Sequence, residues 1–368
     1  MTFMSLFAFA TELCRDGDVT PDATRTDECR ATGAASTSAT AISDQAGAKA
    51  SAENFPVALR FLPRRYRGHL AAVYGFARSA DDMGDEAAAG ERLDLLDELE
   101  ADLGRLYRMI SWADVPDVPR GEGSTGGAPG SVPGDIPSGG DPGSPNAGGS
   151  FGGHPGAADA DGSPPRLAVV RALAPAVVAC AIPAQPFRDL IAANRQDQVV
   201  SRYPTYRDLL DYCRLSANPV GRIVLHIFGA ATPEREALSD QVCTALQLAE
   251  HWQDVAEDLR AGRIYLPLED MDRFGCTERD LAAPGAAPRV RALIAFEERR
   301  ARELLDAGAP IVGTLRGAAR AAVAGYVAGG RAALAAIAAS GHDVLRATPR
   351  PGKARVAMEL VRAYATGR

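Results

Sequence analysis

Apolar positions recur at steps of three and four along most of the chain, a spacing that predicts helices rather than strands. In RLDLLDELEADLGRLYRMI, Leu93, Leu96, Leu99, Leu103, Leu106 and Ile110 keep this step. FRDLIAANRQDQVV and YRDLLDYCRL repeat it on a smaller scale. DQVCTALQLAEHWQDVAEDLRAG sets Val242, Leu246, Ala249, Trp252 and Val255 on one face, and Gly262 is a natural stop for that helix. Residues 289–339 are Ala-rich helical text, broken at Gly308, Pro310 and the Gly329–Gly330 pair. Alternating patterns are nearly absent, and RIYLP is at most one short extended piece. The pattern predicts an all-α fold.

Two stretches carry no period. Residues 1–52 are rich in Ala, Thr, Ser and Asp and are expected to form a disordered N-terminal tail. Residues 113–165 are of low complexity: between Gly121 and Gly162 lie 15 of the chain's 37 glycines, too many for a packed core. The text before this block, Asn54 to Trp112, is about 60 residues and would be marginal as a separate unit. The block therefore reads as a Gly/Pro-rich insertion within one domain spanning 53–368.

Composition narrows the function. A 46% hydrophobic chain of 368 residues can bury a large core. A net charge of -7 argues against a general nucleic-acid binder, which needs a basic surface. The six cysteines form no CxxC pair, as in a reduced, cytoplasmic protein. The opening MTFMSLFAFA lacks a basic flank, so it reads as a short membrane-touching segment or a tail rather than a signal sequence. The longest uncharged run of the folded part, Ala172 to Phe187, is too short to span a bilayer and holds Pro175, Pro183 and Pro186. No transmembrane helix is expected.

The chemistry concentrates in two acidic clusters. In YGFARSADDMGDE, Asp81, Asp82 and Asp85 share one helix face at i, i+3 and i+4 spacings. Two carboxylates about 5–6 Å apart repel by about 3 kcal/mol at an effective dielectric near 20. A solvated helix end with Arg78 and Arg92 as partners would relieve that repulsion. A second cluster shifts the balance: Glu250, Asp254 and Asp258 form an i, i+4, i+8 stripe on an apolar helix, followed by Arg260 and Arg263. Two facing ladders of hard oxygens suit Mg²⁺ held between carboxylates and a substrate's phosphates, and the arginines suit a diphosphate leaving group.

These two stretches, YGFARSADDMGDE and QLAEHWQDVAEDLRAGRIYLP, resemble the aspartate-rich signatures of the squalene and phytoene synthases. The likeness extends over roughly 53–112 and 167–345, and includes YCRLSANPVGRIVLHIFG with Tyr212, Pro219 and Gly221. ENFPVALRFLP and RQDQVVSRYPTYRDLLDYC resemble the bacterial hopanoid-pathway branch of squalene or hydroxysqualene synthases. The resemblance implies a class I terpenoid synthase fold, with helices around a central apolar pocket. It implies that Asp81, Asp82, Asp85, Asp254 and Asp258 act through Mg²⁺ on a prenyl diphosphate, with Glu250 as a further metal ligand. Arg78, Gln247, Arg263 and Tyr265 would bind substrate, and the Tyr212 ring would stabilise a carbocation. Asp81, Asp85, Asp254, Asp258 and Tyr212 would be the catalytic set. Glu250 departs from the family pattern, which has asparagine there, and adds a negative charge.

The implied reaction is conversion of presqualene diphosphate to hydroxysqualene by diphosphate ionisation and water capture. The same-fold alternative condenses two prenyl diphosphates into squalene or phytoene. A third reading, from another class, is a non-catalytic helical partner subunit. Other enzymes of the squalene route and a peripheral contact with the inner membrane face are the expected partners. His251 reads as a packing or surface histidine, Trp252 and Phe76 as core, and Cys213 as a small buried apolar residue.

Overall fold

The computed structural model describes residues 62–110 and 163–368, together with Ala39. The tail 1–52 otherwise lies outside the described residues, as do the ENFPVALRF segment and the insertion up to residue 162. Among the described residues there are fourteen helices. In chain order these begin with α1 (Arg64–Asp85), α2 (Arg92–Met109), α3 (Ala168–Cys180) and α4 (Gln185–Gln196). Next come α5 (Tyr206–Ser216), α6 (Asn218–Ile227), α7 (Pro233–Gln253), α8 (Val255–Arg260), α9 (Leu268–Arg273) and α10 (Glu278–Leu281). The last four are α11 (Pro288–Gly308), α12 (Ile311–Thr314), α13 (Gly317–Ala339) and α14 (Lys353–Thr366).

Two apolar cores form, and α6 contributes to both. The first gathers Phe76, Ala80 and Met83 of α1 with Leu96, Leu99 and Leu103 of α2, Leu173 of α3 and Ile191 of α4. The second gathers Leu209 of α5, Leu246 and Leu248 of α7, Leu293 and Leu305 of α11, and Val327 and Leu334 of α13. Val220, Ile223, Val224 and Ile227 of α6 face the first core, whereas Leu225 faces the second. Each fully buried Leu contributes roughly 2 kcal/mol.

The helix starts are set by sequence. Thr205 and Asp208 form a capping box at α5, and the Thr232 side chain accepts from the Arg235 backbone N–H at α7, with Pro233 at its first turn. One expectation fails in detail: Leu93 is 47% exposed, and Leu95 takes its place in the core. At 100° per residue, position 95 falls on the arc shared by Leu96, Leu99, Leu103 and Leu106, while position 93 falls outside it.

RIYLP is the expected short extended piece. Arg202 and Ile264 make an isolated parallel bridge, and Ile264 N donates to Ser201 O at 2.9 Å. Leu268 N donates to Tyr203 O at 2.9 Å and Glu269 N to Pro204 O at 3.0 Å. These bonds lay the loop after α4 alongside the loop after α8. Among the described residues, α13 alone is long and apolar enough to cross a membrane, yet 56% of that stretch is buried. It packs against α7, α11 and α14 as a core helix.

Candidate active site

The first acidic cluster occupies the last turn of α1, where the helix dipole is negative and no basic residue sits in that turn. This is the unfavourable end of a helix for carboxylates. The three side chains divide. Asp82 is buried and accepts from Arg78 Nε at 2.7 Å, and Arg78 Nη2 lies 3.5 Å from Glu86 Oε1. Asp81 accepts from Asn194 Nδ2 of α4 at 3.1 Å, while its Oδ2 is closed off from solvent with no partner. Asp85 accepts from Arg263 Nη2 at 2.8 Å. Arg92 donates to the Asp85 and Ala87 carbonyls, both at 2.9 Å, so it caps the helix end rather than pairing with the acids.

The second cluster follows α7. Asp254 sits at φ -104°, ψ 17° between α7 and α8, so the expected continuous helix is interrupted there. The backbone ladder survives the bend: Asp254 N donates to Glu250 O at 3.0 Å and Asp258 N to Asp254 O at 2.9 Å. Arg263 N in turn donates to Asp258 O at 2.8 Å, which fixes the arginine beside this cluster. Its guanidinium reaches α1, so Arg263 joins the two acidic stretches directly.

Asp197, just beyond α4, completes the arrangement. Tyr212 OH donates to Asp197 Oδ2 at 2.9 Å, and Asp197 Oδ1 is buried without a partner. Asp81, Asn194, Asp197, Tyr212 and Ser216 line one cavity of about 10 Å³, room for a single small occupant. Gln198 Nε2 ties this segment to the Gly84 carbonyl of α1 at 2.9 Å. Sequence reasoning assigned no role to Asp197 or Asn194. Their one signal was the dense polar run NRQDQ where the helical spacing of FRDLIAANRQDQVV ends.

Charge at the site is held back by burial. Desolvation raises Asp81 to a pKa of about 7, with Asp85 and Asp197 adding to the effect against the Asn194 hydrogen bond. Asp258 is raised to about 7 by burial and then by Asp254, against the pull of Arg263. Burial raises Asp197 to about 6, against Arg263 and Tyr212. These groups would gain from a cation.

An aromatic wall adjoins the acids. Tyr265 stacks on His251 with ring centroids 3.6 Å apart, and Tyr203 and Tyr212 lie 5.7 Å and 5.9 Å from Tyr265. His251 is a packing residue: burial pushes its pKa down to about 3. Gln247 Nε2 lies 3.1 Å from His251 Nε2, and His251 Nδ1 lies 3.9 Å from Asp258 Oδ2. Trp252, Phe76 and Cys213 are buried as expected. Further down, Val220, Val224, Val242, Leu246, Val323 and Tyr326 line part of an apolar cavity of about 30 Å³ between α6, α7 and α13.

Among the described residues, no three His, Cys, Asp or Glu side chains are gathered tightly enough to hold a metal ion. The donor chemistry nevertheless fits a hard divalent cation: unpaired buried carboxylate oxygens on Asp81 and Asp197 share one cavity, with Asp85, Asp254 and Asp258 nearby in the same charge network.

Comparison with known proteins gives a consistent picture. The squalene/phytoene synthase family model matches residues 48–358. The hydroxysqualene synthase of Rhodopseudomonas palustris is 30% identical over 267 residues, covering 72% of each chain. The 15-cis-phytoene synthase of Synechocystis sp. is 40% identical over 136 residues, 33% of this chain and 40% of that one. Among solved structures, squalene synthase HpnC from Alicyclobacillus acidocaldarius aligns with a TM-score of 0.62 at 35% identity, covering 83% of this chain and 94% of that one. A dehydrosqualene synthase in complex with ligand shares the fold, with a TM-score of 0.63 at 21% identity over 89% of this chain and 97% of that one. The architecture is the all-α class I terpenoid synthase fold.

Proposed function

Because the chain belongs to the squalene/phytoene synthase family, and is therefore an isoprenoid-pathway enzyme acting on prenyl diphosphates, we propose that it converts presqualene diphosphate to hydroxysqualene. The observation that carries the reading is the Arg263–Asp85 pair, which brings two acidic helix ends 178 positions apart in sequence to one place. The hydroxysqualene synthase relatives, similar over 72% of the chain, supply the reaction.

In this reading Asp81, Asp85, Asp254 and Asp258 hold Mg²⁺, with Glu250 and Asp197 beside them. Bound Mg²⁺ would supply Lewis-acid stabilisation of the departing diphosphate. Arg263 gives up its carboxylate partner to bind diphosphate oxygens, for which its planar donors are suited. The apolar cavity under α6 and α7, at about 30 Å³, would have to widen to receive the hydrocarbon. Breaking the C–O bond leaves a cyclopropylcarbinyl cation, and the faces of Tyr212 and Tyr265 stabilise positive charge as aromatic rings do. Asp197 holds the Tyr212 ring in place through its hydroxyl. After rearrangement, water adds to the cation and gives up a proton, so presqualene diphosphate and water yield hydroxysqualene and diphosphate.

A second reading has the support of the phytoene synthase match, which has the higher identity over a shorter span. Here two prenyl diphosphates are condensed. Product analysis of purified protein with Mg²⁺ separates the two. Presqualene diphosphate alone is expected to give hydroxysqualene, with farnesyl diphosphate alone left intact. Consumption of farnesyl diphosphate alone, with presqualene diphosphate untouched, reverses the assignment.

A further inference from the structure

We infer that the outer face of α14 is a docking surface for an anionic lipid bilayer. The helix buries Val356, Glu359 and Ala363 against the protein, with Leu360 partly buried beside them. On the opposite side, Ala354, Met358, Val361 and Ala365 are exposed at i, i+4, i+7 and i+11, one continuous stripe. Met358 is 54% and Val361 69% exposed, and Tyr364 at the stripe's edge is 47% exposed. These are three of the seven large exposed apolar residues among those described, gathered on one helix.

Charge selects the occupant. At 100° per residue, Lys353 flanks the stripe on one side and Arg355 and Arg362 on the other, all exposed. Residues 346–368 hold six Lys or Arg and one acid, so their side chains sum to 6 - 1 = +5. The whole chain is -7, so the remaining residues carry -7 - 5 = -12. The one acid, Glu359, is buried and paired with Arg355 at 3.2 Å and Arg362 at 3.8 Å, so it does not face outward. The basic flank continues past the helix end, where Arg331, Arg362, Thr366 and Arg368 line a shallow cavity. An apolar stripe between basic flanks matches a helix lying in the plane of a membrane interface, its cations reaching anionic headgroups and its Met and Val entering the acyl boundary.

The test uses the full chain and extruded vesicles of phosphatidylcholine alone or mixed with phosphatidylglycerol. Co-sedimentation is expected with the anionic vesicles, weakening as salt rises, and little with phosphatidylcholine. Val361→Asp is expected to weaken that binding by roughly tenfold or more. Lys353→Gln is expected to weaken it by roughly fivefold. Both leave the melting temperature and turnover on detergent-dispersed substrate unchanged. Absent binding, equal binding to both vesicle types, or equal binding by wild type and both variants overturns the proposal. So does a wild-type dimer that Val361→Asp converts to monomer without vesicle binding, which assigns the face to a second copy of the chain.

Discussion

Asp81, Asp197 and Asp258 sit at the seam of the molecule with their charged forms disfavoured by burial, and this has consequences for stability as well as catalysis. Their folded-state pKa values, about 7, 6 and 7, lie above the ordinary value of 3.8. Between those values the folded state binds more protons than the unfolded chain, so stability is lost as pH rises through that window. In chelator, the melting temperature is expected to fall from about pH 5 to about pH 8, and Asp81→Asn is expected to flatten the fall. Magnesium with pyrophosphate should reverse the trend: it raises the melting temperature more at about pH 8 than at about pH 6, because protons compete for the same oxygens. Thermal shift measurements across pH check both, without reference to turnover. Asp81→Ala and Asp254→Ala are each expected to abolish product formation. Asp197→Asn is a subtler case, because the amide oxygen can still accept from Tyr212 OH. It is expected to keep the melting temperature at or above wild type while lowering turnover by at least roughly tenfold, read in a single-turnover assay. Wild-type turnover in that variant would limit Asp197 to a packing role.

At the scale of the helix, close approaches decide what the site residues can reach. A Cβ on Gly84 would lie 2.8 Å from Asn194 Oδ1, so Gly84 lets α4 come near enough to α1 for Asn194 to hold Asp81. A Cβ on Gly308 would meet Leu238 O at 2.7 Å and Val242 N at 2.9 Å, backbone atoms of α7 that cannot swing aside. Gly308→Ala is therefore expected to cost about 1–3 kcal/mol. Gly325→Ala in α13, with nothing within 4 Å, is expected to gain up to about 1 kcal/mol. Denaturant melts of the pair measure both, and equal effects would refute the packing argument. The contrast also explains what could be read in advance. The long helices were legible because their Leu and Val steps record one buried face, and the acid ladders because i, i+4 carboxylates conflict with helix stability. Leu93 was misplaced because several registers fit a Leu-rich run. The bend at Asp254 was hidden because the i, i+4 hydrogen bonds continue through it. Asp197 and Tyr203 gave no periodic signal: Asp197 caps α4 and meets Tyr212 of α5, and Tyr203 is placed by the pairing of 201–204 with 264–269, tertiary contacts with no local trace.

Over the whole molecule, the two cores meet along α6, and the acids of α1 face the 254–265 segment across that junction. The two described ends of the stretch between α2 and α3 join the first core, Leu167 fully buried in it and Ile110 packed against it, and the chain's return is fastened to the helix it left. Asp102 of α2, fully buried, accepts from the Arg166 and Leu167 backbone N–H groups at 2.8 Å and 2.9 Å, and from Arg105 Nε at 2.9 Å. Tyr107 OH, near the end of α2, donates to Ile182 O beyond α3 at 2.8 Å. If residues 113–165 are an insertion within one domain, this clamp is what holds the chain's exit and return together. Removing residues 121–162 leaves the clamp intact and shortens the loop it closes. By chain entropy, going from about 58 to about 16 loop residues lowers the closure cost by about 1 kcal/mol. The deleted protein is thus expected to melt at or a few degrees above the wild-type temperature, with unchanged turnover. In the same assay Asp102→Ala is expected to be strongly destabilising, since it strands two backbone donors and the Arg105 charge in the interior. If instead the deletion lowered the melting temperature as far as Asp102→Ala does, residues 121–162 would have to supply packing that the rest of the fold requires.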